Sequence, residues 1–393
     1  MAGSVILAGA RTPIGKLSGA FASLSAADLG AVAIAAALER AGVSADQVDY
    51  VFMGQVLQAG AGQIPSRQAA TKAGISMSVP STTVNKVCLS GLNTIYLAHQ
   101  MIQSGDAEIV VAGGMESMTN APYLLPGARA GYRLGDQKVI DSMMFDGLFC
   151  AFDQVAMGAG TEKYAASAGI DRAPQDELAA KSHERAANAI KDGKFADEIV
   201  AVPVPQRKGD PIMVDTDEGV RPETTIDSLG KLRPAFDKAG NITAGNASQI
   251  SDGGSAVVVT SAKKAEELGI APLGEIVGYG QVAGPDPSLL TQPSRSIKAA
   301  ADRAGVKISD IDLFELNEAF AAVGVASMAD LGITDEIVNV NGGAIALGHP
   351  VGMSGNRVAL TLLHELKRRG GGLGAAALCG GGGQGDAILL RAL

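Results

Sequence analysis

Arg40-Ala41-Gly42-Val43, followed six residues later by Asp49, recurs as Arg303-Ala304-Gly305-Val306, followed six residues later by Asp312. These copies lie 263 residues apart, and 264 residues separate Ser90-Gly91 from Ser354-Gly355, each pair opening an apolar helix. Each helix leads to a strand, Ile109-Val110-Val111-Ala112-Gly113-Gly114 in the first copy and Ala375-Ala376-Ala377-Leu378-Cys379-Gly380-Gly381 in the second. The closing strands match as well, Gly254 to Val259 against Gly385 to Leu390. Self-similarity at a fixed separation means that one supersecondary plan occurs twice.

Strand alternates with helix in each copy, and strands such as Val110 to Ala112 are apolar without interruption, the pattern of strands buried on both faces. The helices after Ser90 and Ser354 are apolar almost all round, which places them in a core between two sheets. A layered α/β fold of two related halves is therefore expected. The copies differ by one large insertion between the last two strands of the first. The predicted division is 1–118 for the first half, completed by 251–270, then 119–250 as a loop-rich cover and 271–393 as the second half. One clear helix is expected in the cover, from near Pro174, with Asp176 and Glu177 in its first turn, to Gly193. Pro203, Pro205, Pro211, Pro222 and Pro234 interrupt regular structure elsewhere in it. Long loops in a compact protein usually serve binding.

Composition narrows the function. With 47% apolar and 19% charged residues, the 393-residue chain can bury a large core. A net charge of −9, no block of Lys or Arg, no Trp and 4% aromatics argue against a nucleic-acid partner. The opening Met1 to Leu7 lacks a basic leader, and no apolar stretch is long enough for a bilayer. A soluble, cytoplasmic protein without membrane partner is expected. Three widely spaced cysteines argue against a disulfide framework and fit a reducing compartment.

Two of those cysteines stand in glycine-framed junctions, Cys88 in Val87-Cys88-Leu89-Ser90-Gly91 and Cys379 before Gly380 to Gly383. Cys88 at the start of a helix would have its thiol pKa lowered by free N–H groups, giving a nucleophile; taken alone it reads first as a small buried hydrophobe, as most free cysteines are. His349, alone among four histidines, is held between a glycine and a proline, which suits an imidazole fixed as a general base. A surface-loop histidine has the same sequence. No second histidine or Cys-x-x-Cys pair stands at ligand spacing, so no metal site is expected. The bare backbone at Gly380 to Gly383 can approach a ligand oxygen. Its match to a dinucleotide pattern is set aside, because only eight residues follow Gly385. Asn317 can hold a water or substrate oxygen, or cap a helix over 319–331. Glu318, with no second acid to pair with, reads as structural or water-organising.

Taken together these segments carry a resemblance. Asn85-Lys86-Val87-Cys88-Leu89-Ser90-Gly91, Asn317-Glu318-Ala319-Phe320, Asn341 to Pro350 and Cys379 to Gly385 resemble the signatures of the thiolase family, in order. So do Ala8 to Pro13 and Thr243-Ala244-Gly245-Asn246-Ala247-Ser248. The resemblance spans essentially the whole chain and is strongest to bacterial acetyl-CoA acetyltransferases. It implies that Cys88 is acylated, that His349 activates it, and that Cys379 moves the proton on the α-carbon of a second acetyl-CoA. It further implies that Asn317 holds a water at an enolate oxygen, and that the N–H groups of Cys88 and Gly381 hold the thioester oxygen. Coenzyme A is expected along Leu148, Met157, Arg221, Ser228, Phe236, Ala244, Ser248 and Phe320, as a substrate and not as a bound cofactor. A homotetramer is expected on the same ground. Ala156 stands where many relatives have a histidine, and Leu89 and Gln249 replace smaller residues, which leaves acyl preference open. A degradative 3-ketoacyl-CoA thiolase of broader chain length and a non-catalytic acyl-CoA or lipid-binding protein are the alternatives.

Overall fold

The computed structural model describes residues 3–393. Nine strands form the path of its main sheet: β1 Ser4–Arg11, β2 Tyr50–Gly54, β3 Ser81–Val84, β4 Ile109–Ser117, β5 Ser251–Ser261, β6 Gly274–Ala283, β7 Leu313–Leu316, β8 Gly372–Gly380 and β9 Gln384–Ala392. Their order across the sheet is β7-β8-β9-β6-β1-β5-β4-β2-β3, with Gly15–Lys16 added beside β5. Read outward from the centre, β1-β5-β4-β2 and β6-β9-β8-β7 repeat one topology, as the duplicated sequence predicts. Two separate sheets were expected; the strands instead form one, because β1 and β6 pair through Val5 with Glu275 and Ile6 with Gly274. That seam is only two residue pairs wide.

The principal helices are α1 Ala26–Ala41, α2 Ser90–Ser104, α3 Arg172–Lys191, α4 Gln292–Ala304, α5 Ala321–Leu331 and α6 Ser354–Arg368. Local chemistry sets the ends of α1: Ser25 and Asp28 form a reciprocal capping box, and Gly42 closes the helix at φ 63°. Helices α2 and α6 occupy the centre. Leu92, Ile95 and Ala98 of α2 and Val358, Leu362 and Leu366 of α6 share one core with Val110, Val257, Ala376 and Ile388 from both halves of the sheet. Each fully buried Leu or Ile there contributes about 1.5–3 kcal/mol. The two helices meet at their N-termini. A Cβ on Gly91 would lie 2.8 Å from Asn356 N, and one on Gly355 would lie 2.3 Å from Leu92 N, so only glycine allows this approach.

Residues 118–250 leave the sheet after β4 and return at β5. The helix α3 starts at Arg172, two residues before the expected Pro174, which sits within its first turn; a proline is tolerated there because those N–H groups have no helical partner. The cover is also more regular than expected, with a further helix at Met157–Ser167 and three two-stranded ribbons. It is fastened to β1 by Arg11, whose Nε donates to Glu198 at 2.7 Å and whose Nη1 and Nη2 donate to Asp217 at 2.7 and 3.0 Å. All three side chains are buried. Removing one partner of such a cluster typically costs about 3–5 kcal/mol, because a buried charge is left uncompensated.

Candidate active site

The abutting starts of α2 and α6 bring Cys88 and His349 to one place. The loop before α2 is strained: Val87, a β-branched residue, has φ 51°. Side chains hold it there. Asn85 Oδ1 accepts from Val87 N at 3.0 Å, Ser90 Oγ accepts from Lys86 N at 2.8 Å, and Ser90 Oγ donates to Val87 O at 2.6 Å. The loop before α6 turns at Gly348, with φ 111°; a Cβ there would meet Ser251 Oγ at 2.3 Å. His349 N donates to Gln249 O at 3.0 Å, while Gln249 Nε2 donates to Gly219, Ile345 and Ala346 carbonyls, binding the cover to the histidine turn.

The second serine fixes the imidazole. Ser354 Oγ lies 2.6 Å from His349 Nδ1 and donates its one proton to Pro350 O at 3.0 Å. With that proton directed to Pro350 O, the arrangement fits a ring proton on Nδ1 donated to Oγ, leaving Nε2 as the basic nitrogen. Asn317 Nδ2 donates to that Nε2 at 3.4 Å. Asn317 Oδ1 is buried and has no hydrogen-bond partner among the described residues. The residue does not cap a helix, since α5 begins at Ala321 with Phe320 as its cap. Its own N–H donates to Ala377 O at 3.0 Å, which sets it beside the strand that carries Cys379. Glu318 is buried, accepting from Ser182 Oγ at 2.7 Å, Asn339 Nδ2 at 2.8 Å and Ile345 N at 3.1 Å, a structural staple.

A cavity of about 260 Å³ joins Cys88, His349, Cys379 and Gly381 with Leu148, Met157, Phe236, Ser248 and Phe320. Three of the expected coenzyme A residues are not in it. Arg221, Ser228 and Ala244 line a second cavity of about 340 Å³ with His183 and Leu232. The segment 244–248 borders both, Ala244 facing the second cavity and Ala247 and Ser248 the first.

The low thiol pKa expected for Cys88 is contradicted. Helix α2 starts at Ser90, past the cysteine. The thiol keeps part of its surface open to the cavity, but the walls are mostly apolar, and burial pushes its pKa up to about 12. The Glu116 carboxylate adds to the rise, and hydrogen bonds from the N–H groups of Cys88 and Gly381 oppose it. Burial, then the nearby thiol of Cys88, holds Cys379 well above the ordinary thiol range. His349 is pushed down to about 3, by burial first and then by the Arg357 cation. The resting site is therefore neutral: two thiols and an imidazole.

Glu116, which the sequence reading passed over, is buried beside Cys88. It accepts from Val56 N at 2.9 Å, Leu57 N at 3.1 Å and Gly352 N at 2.9 Å, and burial pushes it up to about 7. An acid directly after the apolar run Ile109 to Met115, still within β4, is the signal that could have found it. Ser354 carried a weaker one, five residues after His349 at the start of a helix.

The N-terminal domain model of thiolases matches residues 4–263, and the C-terminal domain model matches 270–392. The chain belongs to the thiolase family. This thiolase is 56% identical over 392 residues, all of both chains, to a probable acetyl-CoA acetyltransferase of Mycobacterium tuberculosis. It is 56% identical over 387 residues to one of Mycolicibacterium smegmatis, covering 98% of this chain and 100% of that one. An acetyl-CoA acetyltransferase of Cupriavidus necator is 53% identical over 388 residues, 98% of each chain. Among the described residues of the thiolase, no helix is long and apolar enough to cross a membrane.

Proposed function

We propose that this thiolase is an acetyl-CoA C-acetyltransferase, condensing two acetyl-CoA to acetoacetyl-CoA and coenzyme A and running the thiolytic reverse. The observation that carries the reading is the single cavity shared by Cys88, His349 and Cys379, with the Gly381 N–H aimed at the Cys88 sulfur. The names of the full-length relatives support the acetyl substrate.

In this mechanism His349 Nε2 takes the Cys88 proton as the sulfur attacks the thioester carbonyl, since neither group is charged beforehand. The oxygen of the tetrahedral intermediate is held by the N–H groups of Cys88 and Gly381. The coenzyme A thiolate leaves with the proton of Cys379. Cys379, now a thiolate beside the imidazolium, takes the α-proton of a second acetyl-CoA. The enolate oxygen meets His349 Nε2–H and a water held by Asn317. Its carbon attacks acetyl-Cys88, and the released Cys88 thiolate recovers its proton from His349. Protons and thiols balance, and the site returns to its neutral state. Each oxyanion donor is worth about 10²–10³ in rate, because in a dry site it needs no reorganisation. The pantetheine arm would pass Met157, Phe236 and Ser248, with the nucleotide end towards Arg221, Ser228 and Ala244. Coenzyme A acts as a substrate, with no resident cofactor. The same reading makes the protein cytoplasmic and a homotetramer; a monomeric mass in sedimentation would refute the latter.

The test is loss of the enolate absorbance of acetoacetyl-CoA on adding coenzyme A. Wild type is expected to be active, and Cys88→Ser and Cys379→Ser to lose about 10³-fold or more. Undiminished turnover in Cys88→Ser would remove the acyl-cysteine, and a wild type that binds coenzyme A without turnover would be a binding protein. A long-chain 3-ketoacyl-CoA cleaved as well as acetoacetyl-CoA would make the enzyme a broader degradative thiolase.

A further inference from the structure

Cys88 belongs to the first half of the molecule and Cys379 to the second, so a contact across the seam must set their separation. Lys86, two residues before Cys88, supplies one. Its Nζ donates to both oxygens of Asp386, at 2.7 and 2.9 Å. Asp386 is on β9, one residue past Gly385, which pairs directly with Cys379 across the β8–β9 ladder. The carboxylate is fully buried, and Lys86 keeps only 21% of its side chain exposed. Tyr279 of β6 donates its hydroxyl to Asp386 at 2.5 Å and accepts from Asn93 Nδ2 of α2 at 3.4 Å. Its ring stacks on Tyr96 of α2 with centroids 4.0 Å apart.

The clamp acts on the part of the backbone that needs it. Val87, between Lys86 and Cys88, holds the unfavourable φ 51°, and strain of that kind persists only where neighbouring contacts over-determine the chain. Asn85 and Ser90 restrain the loop from within its own half. Lys86 alone among these side chains ties it to the strand pair that carries Cys379.

We infer that Lys86, Asp386 and Tyr279 are positioning residues, an inter-half clamp that sets the Cys88 loop against Gly381 and Cys379 for the steps needing both cysteines. The inference rests on the proposed thiolase reaction. None of the three side chains lines the cavity, so the effect is on alignment and not on substrate contact. Misplacement of a reacting group by about 1 Å costs on the order of 10²-fold in rate.

The test compares wild type, Lys86→Met, Asp386→Asn and the double variant as full chains. Four readouts are taken: kcat and KM for thiolysis of acetoacetyl-CoA, the rate of Cys88 alkylation by iodoacetamide followed by peptide mass, and the thermal midpoint. Both single variants should lose about 10- to 100-fold in kcat. KM and Cys88 alkylation, which do not require Cys88 and Cys379 to act together, should stay within roughly threefold. The double variant should lose no more than the worse single one, because both remove one interaction. Lys86→Arg, which keeps a cation and two donors, should recover most of kcat. Wild-type kcat in both variants overturns the inference, as do multiplicative losses, or a fall in kcat matched by equal falls in alkylation and folded fraction. If Asp386→Asn does not fold, Lys86→Met and Tyr279→Phe decide by the same readouts. A wild type without thiolysis but with normal alkylation sinks the proposed reaction and this inference with it; an active wild type with indifferent variants sinks the clamp alone.

Discussion

The loops before α2 and α6 hold the same place in the duplicated plan, and a serine opens each helix, yet the two serines do different work. Ser90 Oγ turns back on its own loop, accepting from Lys86 N and donating to Val87 O. Ser354 Oγ also donates to a carbonyl of its own loop, Pro350 O, one residue further back than in the first copy, and accepts from His349 Nδ1. One hydroxyl thus supports a strained turn that presents a thiol, and the other fixes the tautomer of a base. The strand ends diverge in the same way: near its end β4 carries Met115-Glu116, and at the corresponding places β8 carries Cys379-Gly380. Glu116 reaches across to Gly352 N in the other half, whereas Gly380 leaves room for Leu89, whose Cγ would lie 2.6 Å from an added Cβ. Duplication supplied a scaffold with two equivalent corners, and small changes gave each a separate chemical task.

The comparison is broken most directly at Ser354. Ser354→Ala should lower kcat for acetoacetyl-CoA thiolysis about 10²-fold, since an imidazole free to place its proton on Nε2 cannot accept one from Cys88. KM should change little; a kcat near wild type would show that the tautomer is set elsewhere. Almost as large is the response of Cys88 to pH. With its thiol pushed up to about 12, alkylation should rise nearly tenfold per pH unit from 7 to 9 with no plateau. A plateau near neutrality would mean that a thiolate–imidazolium pair exists at rest.

Ser90→Ala should act chiefly on stability. It leaves Lys86 N and Val87 O without their partner, at about 1–3 kcal/mol, and the thermal midpoint should fall more clearly than kcat. A loss of kcat as deep as that of Ser354→Ala would erase the distinction between the two serines. The smallest effect belongs to Glu116. Its folded pKa of about 7 stands above the ordinary carboxyl value of 4.5, so the protonated form is favoured by folding. Its contribution is fully present below about pH 4.5 and is lost as pH rises towards 7. Denaturant midpoints at pH 5 and pH 7.5 should therefore differ by less in Glu116→Gln than in wild type.

Sequence alone pointed to the duplication, the insertion and the side chains that the fold gathers at one cavity. Those depend on apolar periodicity, on repeats at fixed spacing and on residue type, all written along the chain. Tertiary structure decided how the reactive groups stand. Helix α2 starting two residues past Cys88 turned an expected activated thiol into a neutral one, because desolvation by the apolar cavity outweighs two backbone donors. The pairing of β1 with β6 made one sheet where the strand pattern alone implied two, a matter of edge contact between strands far apart in sequence. Ser354, Glu116 and the partnership of Lys86 with Asp386, 300 residues away, bear on the site only through contacts made on folding. A pKa or a tautomer is set by burial and by neighbours within hydrogen-bond reach, and no local run of residues encodes those.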